Sequence, residues 1–220
     1  MSKLIDFTEA LMTKMCHDLS GSIGAAHNGI ELLETTKGKV NEDLIKLLMA
    51  TSSEVVAKFR FFRCIYGTAS NKGEANLESA RRLIEDLLAE TKTELYWSTQ
   101  DSSNNITLLP TEARLLLNMV MIAKEALLQG GKISIISSLQ HKMDGPSGNK
   151  RLLVVAEGES VKVKDDVDMI LTSHELRDLS LTNVQIHWTA KLASELGTIV
   201  QNRITSSRLE LSVELGEKTA

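Results

Sequence analysis

Aromatic side chains are scarce in this chain, 4% of 220 residues, so Leu, Ile, Val and Met must supply the apolar mass of any core. Cysteine is nearly absent. Cys16 and Cys64 are the only two, too few for a disulfide framework, and a reduced, cytoplasmic setting is expected. No apolar run approaches the ~20 residues that span a bilayer, so no membrane partner is expected. The first residues, MSKLIDFTEALMTKM, carry acids and lack the continuous apolar stretch of a signal peptide. Positive charge is not in excess. The net charge of -4 argues against a nucleic-acid binder, which usually shows a basic field. There is no Walker-type phosphate loop, GxSxG elbow or HExxH pair. What remains, 42% hydrophobic and 25% charged, is an ordinary folded chain long enough for one large or two small domains.

The pattern that is present is helical. At about 100° per residue, Leu11, Met15, Leu19, Ile23, Ala26, Ile30 and Leu33 fall on one side of a helix from about Thr8 to Thr36. A second helix, from about Glu42 to Tyr66, carries Leu44, Leu48, Thr51, Val55, Phe59, Phe62 and Ile65 at spacings of three and four. The segment KGKVN between them allows only a tight antiparallel connection. One hairpin cannot cover both stripes. Two copies can, so residues 8–66 are expected to form a four-helix bundle across a homodimer axis.

GTASNKGEAN, residues 67–76, reads as a linker. The chain therefore divides into a hairpin unit, 1–68, a linker, 69–76, and a second unit, 77–220. In that unit LESARRLIEDLLAET, TEARLLLNMVMIAKEALLQGG and LTNVQIHWTAKLASELG read as helices. Thr111 is the expected cap of the second, and Gly130 and Gly197 are expected stops. TELYW, KISIISS, RLLVVAE, TIVQNRI and RLELSVEL read as strands, the last with clean alternation of Leu209, Leu211, Val213 and Leu215. Helices among antiparallel-looking strands imply an α+β fold with a two-layer sandwich in this half.

One residue stands out chemically. His17 lies nearly opposite the centre of its helix's apolar stripe, with Gly21, Gly24 and Asn28 beside it. A ring nitrogen at neutral pH can attack phosphorus and hold a phosphoryl group covalently. Asp18 stands next to it and Lys14 one turn before it. In an antiparallel hairpin, position 17 comes level with about position 60, which brings Arg60 and Arg63 into consideration, with Lys58 nearby. These cations would favour a charged phosphoryl intermediate. Asp18 would polarise the ring or handle a proton. A surface His beside an Asp is most often plain polar surface, but two helix-interior glycines, each costing about 1 kcal/mol relative to Ala, point to close approach of a partner. Ser20, Gly21, Gly24 and Asn28 are the expected docking residues. His27 is a boundary residue, and the two thiols read as buried rather than as ligands.

CHDLSGSIGAAHNGIELL, residues 16–33, and KFRFFRCIYG, residues 58–67, resemble the two hairpin helices of the ChpT-like histidine phosphotransferases of alphaproteobacteria. The likeness covers essentially the whole chain. It implies a phosphoacceptor hairpin followed by a degenerate version of the histidine-kinase ATP-binding domain. His17 would take a phosphoryl group from the receiver domain of a hybrid kinase and pass it to a response-regulator aspartate. Mg²⁺ would sit on the receiver, and the chain would need no metal or ATP of its own.

Departures from the kinase pattern sharpen this expectation. The family commonly has proline five residues after the histidine, and here that residue is Ser22, which implies a straighter helix. Asn118 matches one Mg-ATP position of a kinase, but the next falls at Ile122. VVAEGESV, residues 154–161, lacks a DxGxG form, and TNVQIHW, residues 182–188, has no glycine for a phosphate cradle. Two other readings compete: a receiver-docking module without chemistry, indifferent to loss of His17, and an autophosphorylating kinase, which would bind ATP.

Overall fold

The computed structural model describes residues 3–35, 42–67, 77–99, 106–141, 148–164, 166–173 and 179–216. The expected turn KGKVN and the linker from residue 68 lie outside them. Two long helices come first, α1 (Lys3–Thr35) and α2 (Glu42–Tyr66), packed on each other. The helix α3 (Leu77–Leu88) leads to β1 (Thr93–Thr99), α4 (Pro110–Ala126), β2 (Gly131–His141) and β3 (Gly148–Glu157). Then come α5 (Val167–Ser173), α6 (Val184–Glu195), β4 (Gln201–Ile204) and β5 (Arg208–Leu215).

The strands form one sheet in the order β1-β2-β3-β5-β4. Its register explains the core. Ile133, Ile135 and Ser137 face Ala156, Val154 and Leu152, which face Leu209, Leu211 and Val213, and all nine are buried. Side chains alternate across a strand, so the other face is left wetter. Helix α4 covers the buried face, and Leu115, Leu116, Met119 and Val120 have no exposure. The α+β fold, with helices on one face of a mixed sheet, is the expected one.

Three details differ from expectation. β1 pairs with β2 in parallel, not antiparallel. The α4 crossover between them supplies the length that parallel pairing requires. Helix α4 begins at Pro110 rather than being capped by Thr111. Pro fits a first helical position because its missing N–H has no partner there anyway. The Leu109 N–H donates to Glu112 Oε2 at 2.8 Å, so a carboxylate does the capping. Finally, α5 carried no readable sequence signal. It spans seven residues, too few to establish a period, and is held by buried Val167, Ile170 and Leu171. Gly130 does adopt a positive φ of 87° after α4, where a Cβ would lie 2.4 Å from the Lys92 carbonyl oxygen.

The hairpin and the sheet unit share a core. Phe61, Phe62 and Ile65 at the end of α2 join the cluster that holds α4 and α6. The Ile65 carbonyl, in the last turn of α2 where no helical donor remains, accepts from Arg114 Nε at 2.9 Å and Trp188 Nε1 at 2.8 Å. Phe7 of α1 meets the Trp188 ring at 5.9 Å between centroids. Away from this junction the hairpin is bare. Met12, Ile23 and Ile30 on α1, and Ile45, Met49, Val56 and Phe59 on α2, are exposed.

Candidate functional site

His17 sits in the middle of α1, and its side chain is 77% exposed. Its Nδ1 lies 3.3 Å from Asp18 Oδ1, which leaves Nε2 as the nitrogen that Asp18 does not engage. The surface beside the ring is open. A Cβ added at Gly21 or Gly24 would meet nothing within 4 Å, and Asn28 is exposed. The Ser20 hydroxyl donates to the Cys16 carbonyl at 2.7 Å. It is therefore folded back onto its own helix.

A layer of paired charges lies next to His17. Lys14 Nζ stands 3.1 Å from Asp18 Oδ2 and 2.6 Å from Glu125 Oε1 of α4. Burial alone would push the Lys14 ammonium down, but Glu125 and Asp18 outweigh that and hold it above the usual lysine value. Lys58 Nζ donates to Ser22 Oγ at 2.7 Å and pairs with Glu54 at 2.7 Å. Ser22 Oγ in turn donates to Glu54 Oε1 at 2.9 Å. Ser22 is buried, so a hydroxyl stands where the family commonly has proline, and α1 runs through it without interruption. Burial would raise the Glu54 carboxyl, yet the hydrogen bonds from Lys58 and Ser22 hold it below the ordinary value. Burial, and then the nearby charge of Lys58, push Lys124 down.

Lys14, His17 and Asp18 form one wall of a cleft of about 820 Å³. The opposite wall comes from the second unit: Ile122, Lys124 and Glu125 of α4, Lys162 and Lys164 after β3, and Leu181, Thr182 and Ile186 at the start of α6. Leu128 and Leu181 line it as exposed apolar residues.

The expected supporting cations are placed differently from one another. Lys14 is near Asp18 but buried between two carboxylates. Arg60 does not line this cleft. It lines a separate hollow with Asp86 and Glu90, on the side of α2 that faces α3. Two residues turn a helix by about 200°, so Lys58 faces α1 and Arg60 cannot. Arg63 is exposed and is not part of the His17 cleft wall either. Besides Lys14, the cations lining the cleft with His17 are Lys124, Lys162 and Lys164, none of which stood out in the sequence. Only one signal was there to read. Lys124 and Glu125 are two charges in the last turn of a helix that is otherwise apolar from Leu115 to Ala126 apart from Asn118.

The residues at the kinase nucleotide positions are engaged otherwise. Asn118 is fully buried and its Oδ1 accepts from Gln185 Nε2 at 2.7 Å, while Gln185 Oε1 accepts from the Tyr66 hydroxyl at 2.5 Å. Burial, with Glu125 and Asp18 nearby, pushes the Tyr66 phenol far up, so it stays a donor. Ile122 presents a hydrocarbon side chain to the cleft. These side chains do not fit Mg-ATP: Asn118 is committed to hydrogen bonds with Gln185 and the Arg114 carbonyl inside the second unit, and Ile122 has no ligand atom. Gly158 is used for packing, since a Cβ there would meet Leu127 at 2.9 Å. Among the described residues, no group of three His, Cys, Asp or Glu could hold a metal, and no helix is long and apolar enough to cross a membrane.

Comparison with known proteins bears on this geometry. The family model described as the histidine phosphotransferase C-terminal domain matches residues 77–207. The protein phosphotransferase ChpT of Brucella abortus (strain 2308) is 24% identical over 212 residues, 96% of each chain. A solved bacterial phosphotransferase superposes with a TM-score of 0.74 at 25% identity, covering 97% of both chains. The Acinetobacter baumannii histidine kinase AdeS shares the fold at a TM-score of 0.50 and 14% identity, over 92% of this chain and 98% of that one.

Proposed function

We infer the function of this chain from its family, for it belongs to the histidine phosphotransferases. On that premise His17 is the phosphoacceptor of a phosphorelay. It takes a phosphoryl group from an aspartyl phosphate on the receiver domain of a hybrid kinase and delivers it to the aspartate of a response regulator. The observation that carries this reading is a ring 77% exposed, bonded at Nδ1 and open at Nε2.

The step balances without a cofactor in this chain. The Nε2 lone pair forms the N–P bond as the acyl-phosphate O–P bond breaks, and the aspartate leaves as a carboxylate. The ring keeps its Nδ1 proton and becomes an imidazolium, whose charge Asp18 stabilises from 3.3 Å. The next receiver aspartate reverses the step. Mg²⁺ belongs to the receiver. The open surface over Ser20, Gly21, Gly24 and Asn28 admits the receiver to the ring. The cations of the cleft, rather than Arg60 and Arg63, face the incoming phosphoryl group.

Two copies of the hairpin complete each other. The bare apolar faces of α1 and α2 support a homodimer, since such a face is costly to leave in water. The chain does not charge itself from ATP, a reading supported by Asn118 and Ile122. A cytoplasmic site of action follows from its partners.

The experiment is a phosphotransfer assay with a phosphorylated receiver domain. Wild type should gain acid-labile phosphohistidine, His17→Ala should gain none, and ATP alone should label neither. Receiver binding without labelling of wild type would leave only a docking role. Labelling of His17→Ala would remove His17 from the reaction.

A further inference from the structure

The charges around His17 do not all belong to its own helix. Lys14 stands between two carboxylates, and the Glu125 and Asp18 oxygens it meets are shielded from water. The Lys14 side chain is only 10% exposed. Shielded charges act on one another at a lower effective dielectric than surface charges, so the ammonium's position has consequences. Asp18 has a second task, since its other oxygen faces His17 Nδ1. An ammonium drawn wholly onto Asp18 would cancel the negative charge that an imidazolium needs. Glu125 holds Lys14 at the shorter distance, 2.6 Å against 3.1 Å.

We propose that Glu125 is a positioning residue for phosphoryl transfer: by holding Lys14, it leaves the charge of Asp18 directed at the Nδ1 side of His17. This rests on His17 being the phosphoacceptor. It gives the second unit a role in the chemistry of the hairpin, exerted through the end of α4. Burial holds the Glu125 carboxyl above its ordinary value, with Lys14 opposing that shift and the nearby Asp18 adding to it.

Phosphoramidate is the probe, because it can charge an accessible imidazole without a docked protein. The Nε2–P bond forms, the reagent's own P–N bond breaks and ammonia leaves. The ring retains its Nδ1 proton and its new positive charge faces Asp18. Glu125→Gln should slow this charging about tenfold. Lys14→Met combined with Glu125→Gln removes the competing ammonium as well. That double variant should charge within about threefold of wild type, which is strong non-additivity between contacting residues.

A pair that only tied α1 to α4 would give the opposite order, the double variant being no faster than the single one. That order overturns the proposal. So does wild-type charging by Glu125→Gln, or a Glu125→Gln chain that fails to fold by circular dichroism, which would assign the pair to stability. Failure of the underlying function looks different: His17→Ala would still accumulate phosphohistidine.

Discussion

Helix α4 and the hairpin helices use the same apolar vocabulary but lie in opposite surroundings. α4 is buried on nearly every side, with Leu115, Leu116, Met119, Val120 and Ala123 fully enclosed by the sheet, α3, α6 and the end of α2. The hairpin keeps Met12, Ile23, Ile30, Met49 and Phe59 more than half exposed. A helix that is apolar all round makes a core, whereas an apolar stripe with nothing on it makes an interface. The core around α4 is closed by its own unit together with Phe61, Phe62 and Ile65 of α2. In the proposed dimer the hairpin is completed by association, and its polar flank is left free for chemistry. His17 lies on that flank, turned away from both apolar contacts.

The contrast can be broken at several points. Leu116→Ala in α4 should cost about 3 kcal/mol, the usual result of emptying a packed site. Urea unfolding would read this as a lower midpoint at an unchanged slope. The same truncation of Ile30 should change the midpoint far less per chain and act instead on association. Phe59→Glu should convert a dimer to a monomer in sedimentation velocity, with near-ultraviolet dichroism of the second unit preserved. A dimer that survives this change would mean that the bare face is not the interface.

Smaller effects test the polar flank. Gly24→Phe fills open space, so it should leave the melting temperature nearly unchanged. It should slow receiver-dependent transfer about tenfold, equivalent to roughly 1.4 kcal/mol, while phosphoramidate charging stays normal. Full receiver-dependent activity would show that no partner approaches there. Ser22→Ala should cost about 1 kcal/mol at neutral pH, the worth of a typical hydrogen bond. It also alters the acid response. The Glu54 carboxyl is held below its ordinary value of 4.5 in the fold. Its contribution is thus fully present above the unfolded value and lost as pH falls through the folded one. Loss of the Ser22 hydroxyl should make the fall in melting temperature below about pH 5 shallower. An unchanged acid limb would show that Lys58 alone sets the Glu54 carboxyl.

Much of the hairpin was legible because helical periodicity is local. The two helices, the outward place of His17 and the neighbouring glycines follow from spacing along one helix, whereas the face that α1 buries within the chain runs through Phe7, Lys14, Ser22 and Gly29 rather than along the apolar stripe. Strand β5 was legible for the same reason, its four apolar residues alternating over Leu209–Leu215. The parallel pairing of β1 was not, because direction within a sheet depends on where the chain returns after α4. Arg60 and Lys58 show the limit most plainly. Leveling two helices by residue count identifies the right turn, but not which side of that turn faces inward. Lys58 is the residue that reaches Asp18 and Ser22.

The sequence by itself determined a histidine on the free side of an amphipathic helix, and glycines beside it. It also determined that a hydrocarbon side chain, Ile122, stands one helical turn after Asn118. These are properties of residue identity and short-range geometry, which survive any arrangement of the elements. Only the tertiary structure decided which charges surround that histidine. Lys14 and Glu125 are far apart in the chain yet 2.6 Å apart in space. Their meeting depends on how the end of α4 is presented to α1 by a shared core, and no local pattern encodes that distance.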